Sequence, residues 1–147
     1  MDTIEVLDRL AELVSSSDDD LYVRWSRGPQ IDLAATGGPQ HSIDGLTGVA
    51  LPGLSANPLR VEPWWGDRPV RLWVARRLYD YRHLREQRGP GVRPWVLSAQ
   101  ECGRGPDNEP LVVCRRPVAW IADAALAECE AEIAAQPGSH WGPLNRH

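Results

Sequence analysis

An α+β fold, with a small mixed or antiparallel sheet and three main helices, is what the order of periodicities in this 147-residue chain predicts. Apolar residues recur at helical spacing in three separated stretches, and the short runs between them alternate or stay apolar as strands do. The resulting order is helix, strand, long loop, helix, three strands, helix. It lacks the regular strand–helix alternation of a parallel doubly wound sheet.

Asp2 and Glu5 have the spacing of a capping box and open a predicted helix over about Thr3–Val14, with Leu7, Leu10 and Val14 on its apolar face. Ser15–Asp20 is a polar turn. Leu21–Ser26 alternates, placing Leu21, Val23 and Trp25 on one face and Tyr22, Arg24 and Ser26 on the other, which predicts a strand with one polar face. Arg27–Asn57 is punctuated by glycine and proline and reads as a long excursion with one short strand near Val49–Leu51. A second helix is expected over Pro69–Arg85, with proline in its first turn and Val70, Val74, Leu78, Tyr81 and Leu84 buried. Pro94–Ser98 is a short strand, followed by a polar loop Ala99–Asn108. Glu109–Cys114 and Val118–Ile121 read as further strands, with Pro110 and Pro117 limiting the first to an edge or a bend. Asp123 is the expected cap of a last helix ending near Ala135, and residues 136–147 form a short tail of the same single domain, 1–147.

Composition bounds the chemistry. Hydrophobic residues make up 42% of the chain, enough for one core, and no stretch is long and apolar enough to span a bilayer. The acidic, amphipathic start is unlike a secretory signal, and three widely spaced cysteines without a CxxC pair argue against a disulfide framework or zinc ribbon. A cytoplasmic location is the expectation, without membrane association. All 16 basic residues are arginine, so a P-loop lysine or a lysine Schiff base is excluded. The four histidines show no metal-ligand spacing, GxGxxG and GxSxG motifs are missing, and no metal is expected.

Three places carry site-like residues. Arg24, beside Ser26 in a strand of bulky apolar residues, needs an anion: a carboxylate such as Glu109 or Asp107, or a ligand phosphate. Gly103–Leu111, GRGPDNEPL, sets Arg104, Asp107, Asn108 and Glu109 in a glycine-hinged segment that suits either a site or an ordinary turn. Ser55 and Asn57 in GLSANP would share a face if extended, as sugar or amide recognition requires, or serve as a turn or cap. Between Arg60 and Arg93, nine arginines face four acidic residues, a local net of +5, with Trp64, Trp65, Trp73, Tyr79 and Tyr81 interleaved. That composition fits a face that docks nucleic acid or a protein, although the whole-chain charge of −4 opposes a polyanion.

The strings LYVRWSRGP, GLSANPL and GRGPDNEPLV resemble a family of small actinobacterial proteins of unknown function over nearly the whole length. The chain also resembles the ADP-ribosyltransferases, in which an early-strand arginine, a mid-chain serine and a late glutamate occur in the order of Arg24, Ser55 and Glu109. That resemblance implies NAD as cofactor, with Arg24 on a phosphate, Ser55 orienting the nicotinamide ribose, and Glu109 bonding a ribose hydroxyl as nicotinamide leaves. Tyr79 would be an aromatic able to stack on the nicotinamide ring. Ser26, Asn57, Arg104, Asp107 and Asn108 complete the candidate ligand-contacting set. The sequence departs from the pattern at Ser55-Ala56-Asn57, where the family has Ser-Thr-Ser, and at Asp107, where the residue two before the glutamate is usually Gln or Glu. The alternative function is a non-catalytic accessory or regulatory protein that docks a partner through the face around 64–93.

Overall fold

Residues 1–33, 53–106 and 108–136 are described by the structure, a computed structural model. Along them run β1 (Asp2–Ile4), α1 (Leu7–Ser16), β2 (Leu21–Ser26), α2 (Pro29–Asp32), β3 (Leu54–Ser55), β4 (Asn57–Pro58), α3 (Val70–Tyr81), α4 (Leu84–Arg88), β5 (Arg93–Arg104), β6 (Pro110–Ile121) and α5 (Asp123–Ala134). The sheet is mixed, in the order β1-β6-β5-β2-β4, with β3 also paired to β6. Only the β1–β6 pairing is parallel among these strands. This is the α+β architecture expected, and α1, α3 and α5 are its three main helices. Among the described residues no helix is long and apolar enough to cross a membrane.

The helices pack on one another and on one face of the sheet. Leu7 and Leu10 of α1, Trp73 and Leu78 of α3, and Cys129 of α5 meet Val23, Trp25, Val96 and Ile121 there. The opposite face has its own apolar cluster, built on Tyr22, Leu54, Ala56, Trp95, Leu97, Ala99 and Val112. β2 lies between the two clusters, and all six of its residues are buried. The alternation from Leu21 to Ser26 therefore sorts residues between two interiors, not between interior and solvent. That leaves Arg24 and Ser26 as buried polar groups that need partners.

Several boundaries differ from the sequence expectation, each for a tertiary reason. α1 begins at Leu7 because Asp2–Ile4 is drawn into parallel pairing with Ala119–Ile121. The capping box is not formed. The Leu7 N–H donates instead to Glu128 of α5, at 2.6 Å, so a side chain from the far end of the chain satisfies the helix start. The segment expected as a polar loop after Ser98 continues as strand to Arg104, an exposed hairpin arm whose polar residues face solvent. β6 runs unbroken through Pro117. The register shifts between Val96 and Leu97 and between Ser98 and Ala99, flanking the position opposite Pro117, where a bulged ladder tolerates a missing N–H. The second helix stops at Tyr81 and restarts as α4, and Ala122, not Asp123, is the N-cap of α5. The expected strand near Val49–Leu51, Asp107 and the tail from 137 lie outside the described residues.

Gly28 joins β2 to α2 under two constraints. Its φ is +115°, and a Cβ built there would lie 2.5 Å from Cη2 of Trp120, which Trp95 pairs across the sheet. Alanine at this position is strained in backbone and in space. Gly28→Ala is expected to lower stability by about 2–4 kcal/mol, read as a shift of the urea midpoint at unchanged slope. An unchanged midpoint would show that the turn relaxes freely.

Candidate functional site

Arg24 is the point from which the site is assembled. Its register partner in β5 is Trp95, and Trp95 is paired in turn with Trp120 of β6. The guanidinium shares this face with the two indoles. Its Nε donates to Oδ2 of Asp32 at 2.7 Å, and NH1 donates to the main-chain oxygen of Ser55 at 2.8 Å. Both side chains of the ion pair are close to nine-tenths buried, 10% and 11% exposed. Asp32 reaches this position because Gly28 and Pro29 turn the chain into the single helical turn of α2, which folds back over β2.

Ser26 ties the same carboxylate to the sheet. Its hydroxyl donates to Asp32 Oδ2 and accepts from the indole N–H of Trp95 at 2.8 Å and from the N–H of Gly28 at 3.1 Å. Arg24, Ser26, Asp32 and Trp95 therefore form one connected, buried network. The carboxylate for Arg24 is Asp32, where the sequence offered Glu109 or Asp107.

Glu109 lies at the other side of this corner. GRGPDNEPL is the connection of the β5–β6 hairpin: Gly105 N–H donates to Glu109 O and Asn108 N–H to Gly105 O, both at 2.9 Å. Asn108 takes the left-handed conformation, φ 60°, which its short amide side chain tolerates. The half-buried Glu109 carboxylate folds over Gly105, where a Cβ would sit 1.8 Å from Oε1, so a side chain at 105 would push this flexible carboxylate aside. Arg104 pairs with Glu101 at 2.9 Å and donates to Asn108 O at 3.2 Å, which keeps both Arg104 and Asn108 on the exposed turn. Ser55 pairs with Leu111 just beyond Glu109, and Ala56 N–H donates to Pro110 O at 3.3 Å. Asn57 is buried in β4 opposite Val23.

Arg88, at the end of α4, is, with Asp32, a residue that sequence reasoning missed. Its NH1 donates to Trp25 O at 2.8 Å. Burial pushes its pKa down to about 10, and the charge of Arg24 adds to the effect, while Asp32 and Glu109 pull it back. Half-buried Arg88 thus lies within electrostatic reach of the Arg24–Asp32 pair and of Glu109. Arg88 has no distinguishing signal in the sequence, being one of nine arginines in its stretch.

Tyr79 does not join this corner. It lies on α3, in the helical layer against the other face of the sheet, with the Arg82 guanidinium stacked 3.6 Å from its ring centroid. The basic stretch is largely compensated there: Arg71 by Asp8 and Glu132, Arg76 by Asp80, Arg82 by Glu130, and Arg85 by Asp123. Arg77 is buried over the Trp73 ring, and burial lowers its pKa. A surface depression of about 340 Å³ lies beyond α1, with Asp18, Asp19, Asp20 and Arg60 in its lining. Two of these acids are already engaged, Asp20 by Arg60 and Asp19 by Arg116. Among the described residues no group of three His, Cys, Asp or Glu side chains is placed to hold a metal ion.

A family model covers residues 1–142 and is described as a family of unknown function, DUF6098. The chain belongs to this family. Neither curated proteins nor solved structures give a match. For this DUF6098 chain the corner around Arg24 therefore has to be judged by its own geometry.

That geometry makes the Arg24–Asp32 pair structural first. Asp32→Ala is expected to cost about 3–5 kcal/mol, because it strands a buried guanidinium, whereas the double variant Arg24→Met/Asp32→Leu should recover most of the loss. Chemical denaturation of the single and double variants measures the difference. Additive losses in the double variant would refute the coupling.

Proposed function

We propose that this protein binds a phosphorylated nucleotide, NAD in the fullest form of the reading, at the corner of Arg24, Ser55 and Glu109, and transfers ADP-ribose from it. The observation that supports the reading most is that Arg24 NH1 bonds the Ser55 main-chain oxygen while β3, which carries Ser55, pairs with the strand that Glu109 leads into, and Arg88 lies within electrostatic reach of both Arg24 and Glu109. Three residues far apart in the sequence thus share one corner that carries fixed charges of both signs.

In this reading Arg24 adds positive charge behind the pyrophosphate and, through Asp32 and the Ser55 oxygen, holds α2 and β3 to β2. Ser55 orients the nicotinamide ribose. Glu109 accepts a hydrogen bond from a ribose hydroxyl and stabilises the positive charge that develops on the sugar. The C1′–N bond breaks with its electron pair leaving on nicotinamide. An acceptor nucleophile then bonds to C1′ and gives up its proton. Arg104 and Asn108 on the hairpin turn, with Ser26 and Asn57 nearer the sheet, are the remaining candidate contacts.

The second reading is a non-catalytic accessory or regulatory protein that docks a protein or nucleic-acid partner through the face around 64–93. It is favoured by Trp64, 46% exposed, beside Trp65, on which the Arg68 guanidinium stacks 4.0 Å from the ring centroid. Ion pairing of most other arginines in the stretch counts against a polyanion partner.

NAD at millimolar concentration is expected to raise the melting temperature by several degrees. Glu109→Gln should abolish nicotinamide release with the fold intact. No shift with NAD, and no nicotinamide with any acceptor, would end the transferase reading. Salt-sensitive retention on RNA or heparin that survives Glu109→Gln and is lost in Trp64→Ala/Arg68→Ala would establish the docking reading in its place.

A further inference from the structure

We infer that Arg88 is the phosphate-binding cation of this corner, taking the pyrophosphate of a nucleotide, and that Arg24 is a positioning residue. The inference rests on the nucleotide-binding reading above for the owner of the phosphate, and on the two arginines' own hydrogen bonds for the division of labour.

Arg24 is committed to the protein. Two of its nitrogens are held by Asp32 and by the Ser55 main-chain oxygen, and Asp32 also accepts from Ser26. Turning Arg24 toward a ligand would break a buried ion pair. Arg88 is differently placed. Among the described residues its guanidinium makes one hydrogen bond, to the main-chain oxygen of Trp25, and no ion pair. Asp32 and Glu109 act on it through space, without direct contact. A guanidinium has five N–H donors in a planar fork, and one bonded carbonyl leaves most of that fork unused. The fork matches two phosphate oxygens, and a half-buried setting strengthens the attraction relative to bulk water.

The neighbourhood supports the same chemistry. Arg27, exposed and bonded through Nε to Pro90 O at 3.1 Å, adds a second positive charge beside the turn that follows Arg88. Glu109 would repel a phosphate placed on it but accept a hydrogen bond from a sugar hydroxyl. A ligand with pyrophosphate at one end and ribose at the other offers an anion to Arg88 and a hydroxyl donor to the Glu109 side, which a bare monoanion does not. The ligand class is therefore a nucleoside diphosphate or a dinucleotide joined by pyrophosphate.

The test measures binding of sodium pyrophosphate, ADP, NAD and adenosine, at matched ionic strength, by melting shift and calorimetry. The proteins are the wild type, Arg88→Leu, Arg88→Lys and Glu109→Gln. Pyrophosphate and ADP should bind the wild type and adenosine should not. Arg88→Leu should weaken pyrophosphate at least about tenfold, with partial recovery in Arg88→Lys, which keeps the charge and guards against a folding defect in the leucine variant. Glu109→Gln should keep pyrophosphate binding. No pyrophosphate binding to the wild type, or equal binding to Arg88→Leu, overturns the assignment. Arg88-dependent binding of pyrophosphate without ADP or NAD keeps the anion site and sinks the nucleotide reading. NAD binding that ignores Arg88 does the reverse.

Discussion

A guanidinium in the middle of a strand buried on both faces has to be neutralised where it stands, and around Arg24 the solution is local. Asp32, a few residues further along the chain, is carried back over β2 by the Gly28-Pro29 turn, and the same carboxylate oxygen serves Arg24 and Ser26. The rest of the second sheet face is arranged on this pair. Trp95 is oriented by its indole bond to Ser26, Gly28 is pressed against Trp120, and β3 is drawn in by its Ser55 carbonyl. Removing the charge would remove the reason for the turn. A buried pair of this kind contributes less to stability than to specifying one arrangement, because its desolvation cost offsets much of its attraction.

The same logic governs the helical layer at longer range. Arginines of α3 and α4 look like a cationic surface along the chain, yet Asp8 from α1 and Glu130, Glu132 and Asp123 from α5 are brought against them. Partially exposed pairs like these add little free energy individually. Their effect is on the field: they remove most of the local excess of positive charge that would attract a polyanion. Glu128 does similar work on the backbone, satisfying the Leu7 N–H at the start of α1. In both cases α5 closes the helical layer by supplying acids to groups that precede it in the chain.

Division of labour between neighbouring arginines follows from what each has already bonded. Arg24 is held by a carboxylate and a carbonyl, Arg88 by one carbonyl. A side chain whose donors are consumed positions its surroundings, and one with donors left over recognises something else. The Glu109 carboxylate, folded over Gly105 on the hairpin turn, gives the corner a second and opposite character.

Local pattern was enough to read β2, whose span Leu21–Ser26 is the one its alternation predicts, and α5, whose apolar stripe reaches Cys129. Both depend on residues that touch their own neighbours in sequence, so period and composition describe them. The α+β class followed from the same periodicities. What tertiary structure decided were the long-range pairings. β1 exists because Ile4 finds Ile121, α1 starts where Glu128 meets it, and Pro117 sits inside a strand because bulges on either side absorb its missing N–H. The site divides the same way. That Arg24 needs an anion was legible from its position among apolar residues. That the anion is Asp32 was not, because a glycine-proline stretch does not reveal which way its turn folds. Arg88 could not be told from its fellow arginines at all, because a residue's leftover hydrogen-bonding capacity exists only once its partners are in place.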